Sequence, residues 1–178
     1  MAGRVGAADE FFRRFAPLVA SVIVNTLGRR PEVPDLVNDV FVMALRDVGR
    51  VQSAAALQGW LTAVTVNVCR VFLRSQRRRA WLRFFAPEAL PDVESTPLAE
   101  GPEGAVVKAV YEVLDTLPAE ERLAVALHDL EGLSLAAMAE AMRVSLATGK
   151  RRLAAGRARF AEKARGDRRL TEWLEEHP

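Results

Sequence analysis

The sequence predicts an all-α protein of two small helical domains joined by a flexible acidic linker. Three observations carry this. Ala, Leu and Arg are abundant while aromatics make up only 7% of 178 residues, which favours helices over sheets. No alternating apolar–polar run of convincing length occurs, and no internal repeat. Residues 87–104 gather Pro87, Pro91, Pro97, Pro102, Gly101 and Gly104, where proline removes amide donors and turns its neighbours away from helix. The chain therefore divides into a domain at 1–86, a linker at 87–104 and a domain at 105–178.

The first domain reads as three main helices. Phe11 to Leu27 is strongly apolar, with Pro17 inside it and Gly28 as its stop. Asp35 to Val48 carries Leu36, Val37, Val40, Phe41, Ala44, Leu45 and Val48 on one helical stripe, so these should be buried. Its opposite face holds Asp35, Asn38, Asp39, Val42, Met43 and Arg46. Apolar Val42 and Met43 there point away from the core and suggest a partner surface. As single exposed apolar residues they could equally mean nothing. A third helix is expected from about Leu57 to Arg78, with Leu57, Trp60, Leu61, Val64, Val68, Val71 and Phe72 inward. Asn67, Arg70, Arg74 and Arg77 or Arg78 then share one stripe. Arginines at this spacing can meet successive phosphates and Asn can read a base edge, although cations at a helix carboxy terminus also suit the helix dipole.

In the second domain, Val106, Val110, Val113, Leu114 and Leu117 form a stripe that Pro118 ends. Ala119 to Leu130 follows, with Leu123, Leu127 and Leu130 inward and Gly132 as the stop. Ser134 can N-cap a short helix, Leu135 to Met142, and Ser145 another from Leu146 to about Ala164. A short helix, the turn Arg143-Val144-Ser145 and a longer basic helix make the pattern of a helix-turn-helix. Its second helix presents Ala147, Thr148, Lys150 and Arg151 in the first turn, with Arg143, Arg157 and Arg159 placed to hold phosphates. Gly149 costs this helix propensity, so Gly149→Val is expected to stabilise it; the competing reading is that Gly149 lets the preceding helix approach closely, in which case valine overpacks the contact. A further short helix is expected around Leu170–Leu174.

Charge is segregated along the chain although the net is only +2. Arg70 to Arg83 holds six basic residues and no acid; Pro87 to Gly104 holds five acids and no base. Arg143 to Arg169 sets ten basic residues against Glu162 and Asp167. Two basic blocks on separate domains predict two polyanion-binding surfaces.

Several function classes are excluded. His128 and His177 lack a second ligand at metal spacing, and no glycine-rich phosphate loop or nucleophile elbow occurs. The chain is therefore expected to be no enzyme and to need no cofactor or metal. Cys69, the single cysteine, reads as a small packed residue. The run Val51 to Cys69 is too polar for a membrane span, and residues 1–14 lack the apolar stretch of a signal peptide. A cytoplasmic protein with no membrane insertion is expected.

Taken in order, Asp35-Leu36-Val37-Asn38-Asp39-Val40-Phe41, Trp60-Leu61 with Asn67 and Arg74, Leu117-Pro118, Leu130-Glu131-Gly132-Leu133-Ser134, Met138-Ala139-Glu140, Val144-Ser145 and Thr148 with Lys150-Arg151-Arg152-Leu153 resemble a bacterial RNA polymerase sigma factor of the extracytoplasmic-function group. The resemblance runs from about Glu10 to Lys163. It implies a region 2-like helical bundle, a region 4-like helix-turn-helix domain, and core RNA polymerase, promoter DNA and an anti-sigma factor as partners. By the same resemblance Asp35, Asn38, Asp39, Val42, Met43 and Arg46 would contact polymerase. Gln52, Ser53, Asn67, Arg70, Arg74, Arg77 and Arg78 would lie near the −10 strand. Thr148, Lys150, Arg151, Arg152, Arg143 and Arg157 would lie at the −35 element. The sequence departs from the family's pattern at Leu45 (usually Trp), Val66 (Arg), Val71 (Asp), Ala137 (acidic), Arg143 (Gly) and Gly149 (apolar). Two other readings stay open here: a sigma-like protein that only binds polymerase or an anti-sigma factor, and a stand-alone helix-turn-helix repressor.

Overall fold

The computed structural model describes residues 2–51, 53–85 and 102–176. Every regular element among them is helical, and the helices are α1 (Ala2–Leu27), α2 (Val33–Asp47), α3 (Ala54–Phe85), α4 (Pro102–Thr116), α5 (Ala119–Val125), α6 (Leu135–Ala141), α7 (Leu146–Ala164) and α8 (Arg168–Glu176). A 3₁₀ turn, Val48–Arg50, follows α2, and a π-helical turn, Ala126–Leu130, continues α5.

The local chemistry sets these boundaries. Gly28 ends α1 at φ 82°, a left-handed conformation that glycine adopts without a Cβ penalty. Pro34 stands in the first turn of α2, where its missing N–H costs nothing. The Ser134 Oγ accepts from the Ala137 amide at 3.2 Å, and the Ser145 Oγ accepts from the Thr148 amide at 3.2 Å, so both expected N-caps form. The turn between α6 and α7 is a Schellman closure in which the Val144 amide donates to the Ala139 carbonyl and the Arg143 amide to the Glu140 carbonyl. Arg143 takes the left-handed position of that closure at φ 56°, where the family pattern has glycine.

The first three helices pack mutually around Val19, Val22, Ile23, Leu27, Leu36, Val40, Phe41, Ala44, Leu61 and Val64. Phe11 meets Phe41 edge to face at 5.6 Å between ring centres, tying α1 to α2. In the second bundle α5 and α6 pack on α7 through Leu123, Leu127, Met138 and Leu153, and α8 returns Leu170 against α4. The two bundles also touch: α3 lies on α5 and α6, and α1 lies on the π turn. One buried core therefore runs through both.

Several expectations need correction. α1 starts far ahead of Phe11, and α4 starts at Pro102, so residues 102–104 are helix rather than linker. The rest of the expected linker, 87–101, lies outside the described residues. Leu45 (50% exposed), Val71 (61%) and Leu130 (41%) are surface residues, not core. Each stands at the edge of its apolar stripe, where a helix turning 100° per residue carries the side chain out of the contact. Among the described residues, Ala55–Arg79 is long and apolar enough to cross a membrane, a length and composition the sequence reading undervalued. Its Leu61, Val64, Val66, Val68 and Leu73 are buried in the core.

Candidate nucleic-acid interface

Three surfaces carry the residues expected to act. On α7, Ala147, Lys150 and Arg151 are exposed and Thr148 is half-buried, its hydroxyl accepting from the Ser145 hydroxyl at 3.0 Å. A helix-turn-helix reads DNA through the first turn of its second helix, and these are exposed or half-exposed side chains of that turn. Gly149 faces inward: a Cβ there would stand 3.1 Å from Met138 Cε and 3.2 Å from Ala139 Cβ. These distances favour the close-approach reading of Gly149, because Met138 and Ala139 must give way by a few tenths of an ångström to admit a side chain.

On α2, Asp35, Asn38, Asp39, Val42, Met43 and Arg46 are all exposed and share the face opposite the buried stripe. Leu45 joins Val42 and Met43 there, so the apolar part of the face is wider than the periodicity implied.

On α3, Asn67, Arg74, Arg77 and Arg78 are exposed and Arg70 is half-buried, while Ser53 is exposed ahead of the helix. Gln52 lies outside the described residues. Val66, where the family pattern has arginine, is fully buried and belongs to the core.

The stripe on α3 is not open along its length, because the second bundle rests on it. The Glu120 Oε1 accepts from Arg70 Nε at 2.9 Å and from Arg74 Nη2 at 3.0 Å, and the other oxygen of Glu120 accepts from Arg152 Nη1 at 2.9 Å. Arg70 also donates to the Met142 carbonyl at 3.1 Å, and Arg77 to the Leu117 carbonyl. Nearby, Arg30 makes a two-pronged pair with Asp115 at 2.7 and 2.8 Å. Glu131 accepts from Asn25 at 2.6 Å and Ser21 at 2.9 Å, and the Tyr111 hydroxyl donates to the Val24 carbonyl at 3.0 Å. Arg157 pairs with Asp129 within the second bundle, which raises its already high pKa. Arg143, Lys150 and Arg151 stand exposed on the helix-turn-helix.

Arg122 is the most buried charge in this seam, at 1% exposure. It donates to the Thr26 carbonyl and to Asp115. Burial lowers its pKa and the Asp115 carboxylate opposes that shift, so it stays a cation. Arg122 Nη2 is buried there without a partner, while the Thr26 side chain lies against the Cys69 thiol.

Sequence reasoning missed Glu120, Asp115 and Arg122. The only local signal was the pair of acids Glu120 and Glu121 in the first turn of α5, which reads as an ordinary response to the helix dipole. His128 Nδ1 lies 2.7 Å from the Leu133 carbonyl oxygen, a local turn contact.

A three-helix bundle with a basic last helix, followed by a bundle ending in a helix-turn-helix, is the layout of sigma-70 proteins. Residues 11–79 match sigma-70 region 2 and residues 108–160 match sigma-70 region 4. Among relatives, the ECF RNA polymerase sigma factor SigE of Mycolicibacterium smegmatis is 32% identical over 164 residues, covering 86% of this chain and 60% of SigE. The ECF RNA polymerase sigma factor SigM of Mycobacterium tuberculosis is 31% identical over 163 residues, covering 90% of this chain and 79% of SigM. The fold is similar to the sigma factor RpoE in its complex with the anti-sigma factor NepR from Bartonella quintana, with TM-score 0.65 and 20% identity over 90% of this chain and 98% of that one. It is also similar to CnrH in complex with the cytosolic domain of CnrY, with TM-score 0.62 and 18% identity over 93% and 92% of the two chains. The chain belongs to the extracytoplasmic-function group of the sigma-70 family.

Proposed function

We propose that this protein is a transcription initiation factor that binds core RNA polymerase and directs it to promoters, catalysing nothing itself. The observation that carries this reading is the helix-turn-helix of α6 and α7, capped by Ser134 and Ser145 and exposing Lys150 and Arg151, on the same chain as the α2 face. A repressor of the stand-alone kind has no use for the second surface. Thr148, Lys150, Arg151 and Arg143 meet the −35 element, Arg152 and Arg157 flank it, and Ser53, Asn67, Arg70, Arg74, Arg77 and Arg78 lie along the −10 strand with Gln52. Asp35, Asn38, Asp39, Val42, Met43 and Arg46 contact polymerase. An anti-sigma factor is a partner by analogy with the RpoE–NepR structure, and the protein acts in the cytoplasm.

Run-off transcription with core polymerase, with and without the protein, tests this on the DNA upstream of its own coding sequence. A specific transcript that appears only with the protein is expected. The Asn38→Ala, Asp39→Ala double variant should lose polymerase affinity with unchanged helix content, because both residues are exposed on α2. Tight sequence-specific binding of duplex promoter by the protein alone would favour the repressor reading instead.

A further inference from the structure

We infer that Leu146 is a specificity residue of the helix-turn-helix, which reads the 5-methyl group of a thymine within two base pairs of the guanine that Lys150 reads. The inference rests on the promoter-binding reading above and names the base chemistry of that same surface. Leu146 opens α7 and is 45% exposed. The two apolar residues that flank the N-cap Ser145 differ: Val144 packs against the core, whereas Leu146 faces outward. A leucine does nothing for a helix start, where the dipole favours acids, and no acid stands in the first turn of α7. Leu146 is thus a large apolar side chain held in the open, on the turn through which a helix-turn-helix meets base edges.

The chemistry of this face selects among bases. From Leu146 to Ala161 the sequence holds no carboxylate and no side-chain amide, so Thr148 carries the one side-chain acceptor. Lys150 and Arg151, both exposed, have donors only. Donors cannot pair with the amino groups that adenine and cytosine present in the major groove, and guanine, with two acceptors there, is their best match. The remaining mark in that groove is the thymine methyl, its one apolar group. Leu146, with exposed Ala147 beside it, is the complement of that methyl.

Helix geometry brings the two readers together. Residues four apart share a face, with Cβ atoms about 5–6 Å apart, so Leu146 and Lys150 stand over base pairs one or two steps apart at about 3.4 Å per step. Cα–Cβ bonds tilt toward the helix N-terminus, so Leu146 leans out from the end of α7 that enters a groove first. Its isobutyl group then covers a methyl that water would otherwise touch.

The test uses full-length protein together with core polymerase. Sites are selected from random-sequence duplexes long enough to span both promoter elements, and each thymine of the selected −35 segment is then replaced by deoxyuridine, which lacks only the methyl. The expected result is one thymine, within two base pairs of a guanine, whose replacement weakens binding about fourfold, equivalent to about 0.8 kcal/mol for one buried methyl. With Leu146→Ala the same replacement should leave affinity unchanged, and Leu146→Met, which keeps an apolar side chain of similar reach, should restore the dependence. Alanine favours helix and the position is exposed, so the variant should fold, and the deoxyuridine series on wild type needs no variant at all. A selected site with no methyl-sensitive thymine, or a methyl effect of the same size in Leu146→Ala, overturns the assignment of Leu146 and leaves the promoter reading standing. A selection that enriches no sequence overturns the promoter reading, and the assignment falls with it.

Discussion

Arg122 donates its Nε to the carbonyl oxygen of Thr26 at 2.7 Å, and so caps the carboxy terminus of a helix 96 residues upstream. The last carbonyls of α1 have no partner within the helix and carry the negative end of its dipole, which a guanidinium answers in both respects. Leu27 is served in the same way by Arg30 Nε at 2.7 Å.

Arg122→Ala should therefore destabilise the folded chain by about 3 kcal/mol, since it leaves a buried carbonyl unpaired and a cavity behind. Arg122→Met should cost less, because it fills the volume and removes the cost of burying a cation. Urea unfolding of both variants checks the order. Equal losses would mean that the hydrogen bond to Thr26, lost in both variants, carries the effect and the volume does not.

Gly156→Ala should destabilise by roughly 1–3 kcal/mol. A Cβ at that position would lie 2.8 Å from Val125 Cγ2 and 2.9 Å from the Glu121 carbonyl oxygen, and a backbone atom cannot swing aside. Gly149→Val should also lower the melting midpoint, by less, because one of its neighbours is the flexible end of Met138. Thermal melting of the full chain reads both, and a midpoint raised by either substitution refutes the corresponding close approach.

Arg143→Gly should separate stability from recognition. A non-glycine residue held in the left-handed region costs on the order of 1 kcal/mol, so glycine should raise the melting midpoint by a few degrees. The same change removes an exposed cation beside the recognition helix and should weaken −35 binding. A variant that is stabilised and binds as tightly as before would place Arg143 outside the DNA contact.

Cys69 should resist thiol reagents. It is fully buried, and burial pushes its pKa from 9.0 up to about 12, with Arg122 as the largest opposing influence. At about pH 8 that lowers the thiolate fraction roughly a thousandfold. Modification should then follow unfolding, accelerating in urea. The raised pKa means that stability from the protonated thiol is complete below about pH 9 and is lost as the pH rises toward 12. Rapid labelling of native protein in buffer would contradict the burial.

The helix-turn-helix was legible because its signals are local. Ser145 followed by an Ala- and Arg-rich run sets the start of α7, and the run of good helix formers carries it to Ala164, as expected. The stop glycines Gly28 and Gly132 were legible for the same reason. Residues at stripe edges were not: Leu45, Val71 and Leu130 have apolar side chains whose burial depends on where a neighbouring helix lies. At Gly149 the sequence left two readings open, because its cost in propensity is local while the approach of Ala139 comes from another helix. The seam was invisible for a stronger reason. Arg77 to the Leu117 carbonyl and Arg122 to the Thr26 carbonyl join a side chain to a backbone atom, and a backbone acceptor leaves no residue-type signature in a sequence.

The close approach at Gly156 has a mechanical consequence. With no side chain between them, α7 meets the backbone of α5 at Glu121, and the Arg159–Glu121 and Arg152–Glu120 pairs pin the same two helices on either side of the crossing. Such a joint has little play, so α5 and α7 turn together as one stiff lever. A turn of α5 therefore carries the first turn of α7, with Lys150 and Arg151 beside Arg152, as rotation rather than as bending. The orientation of α7 is therefore geared to that of α5.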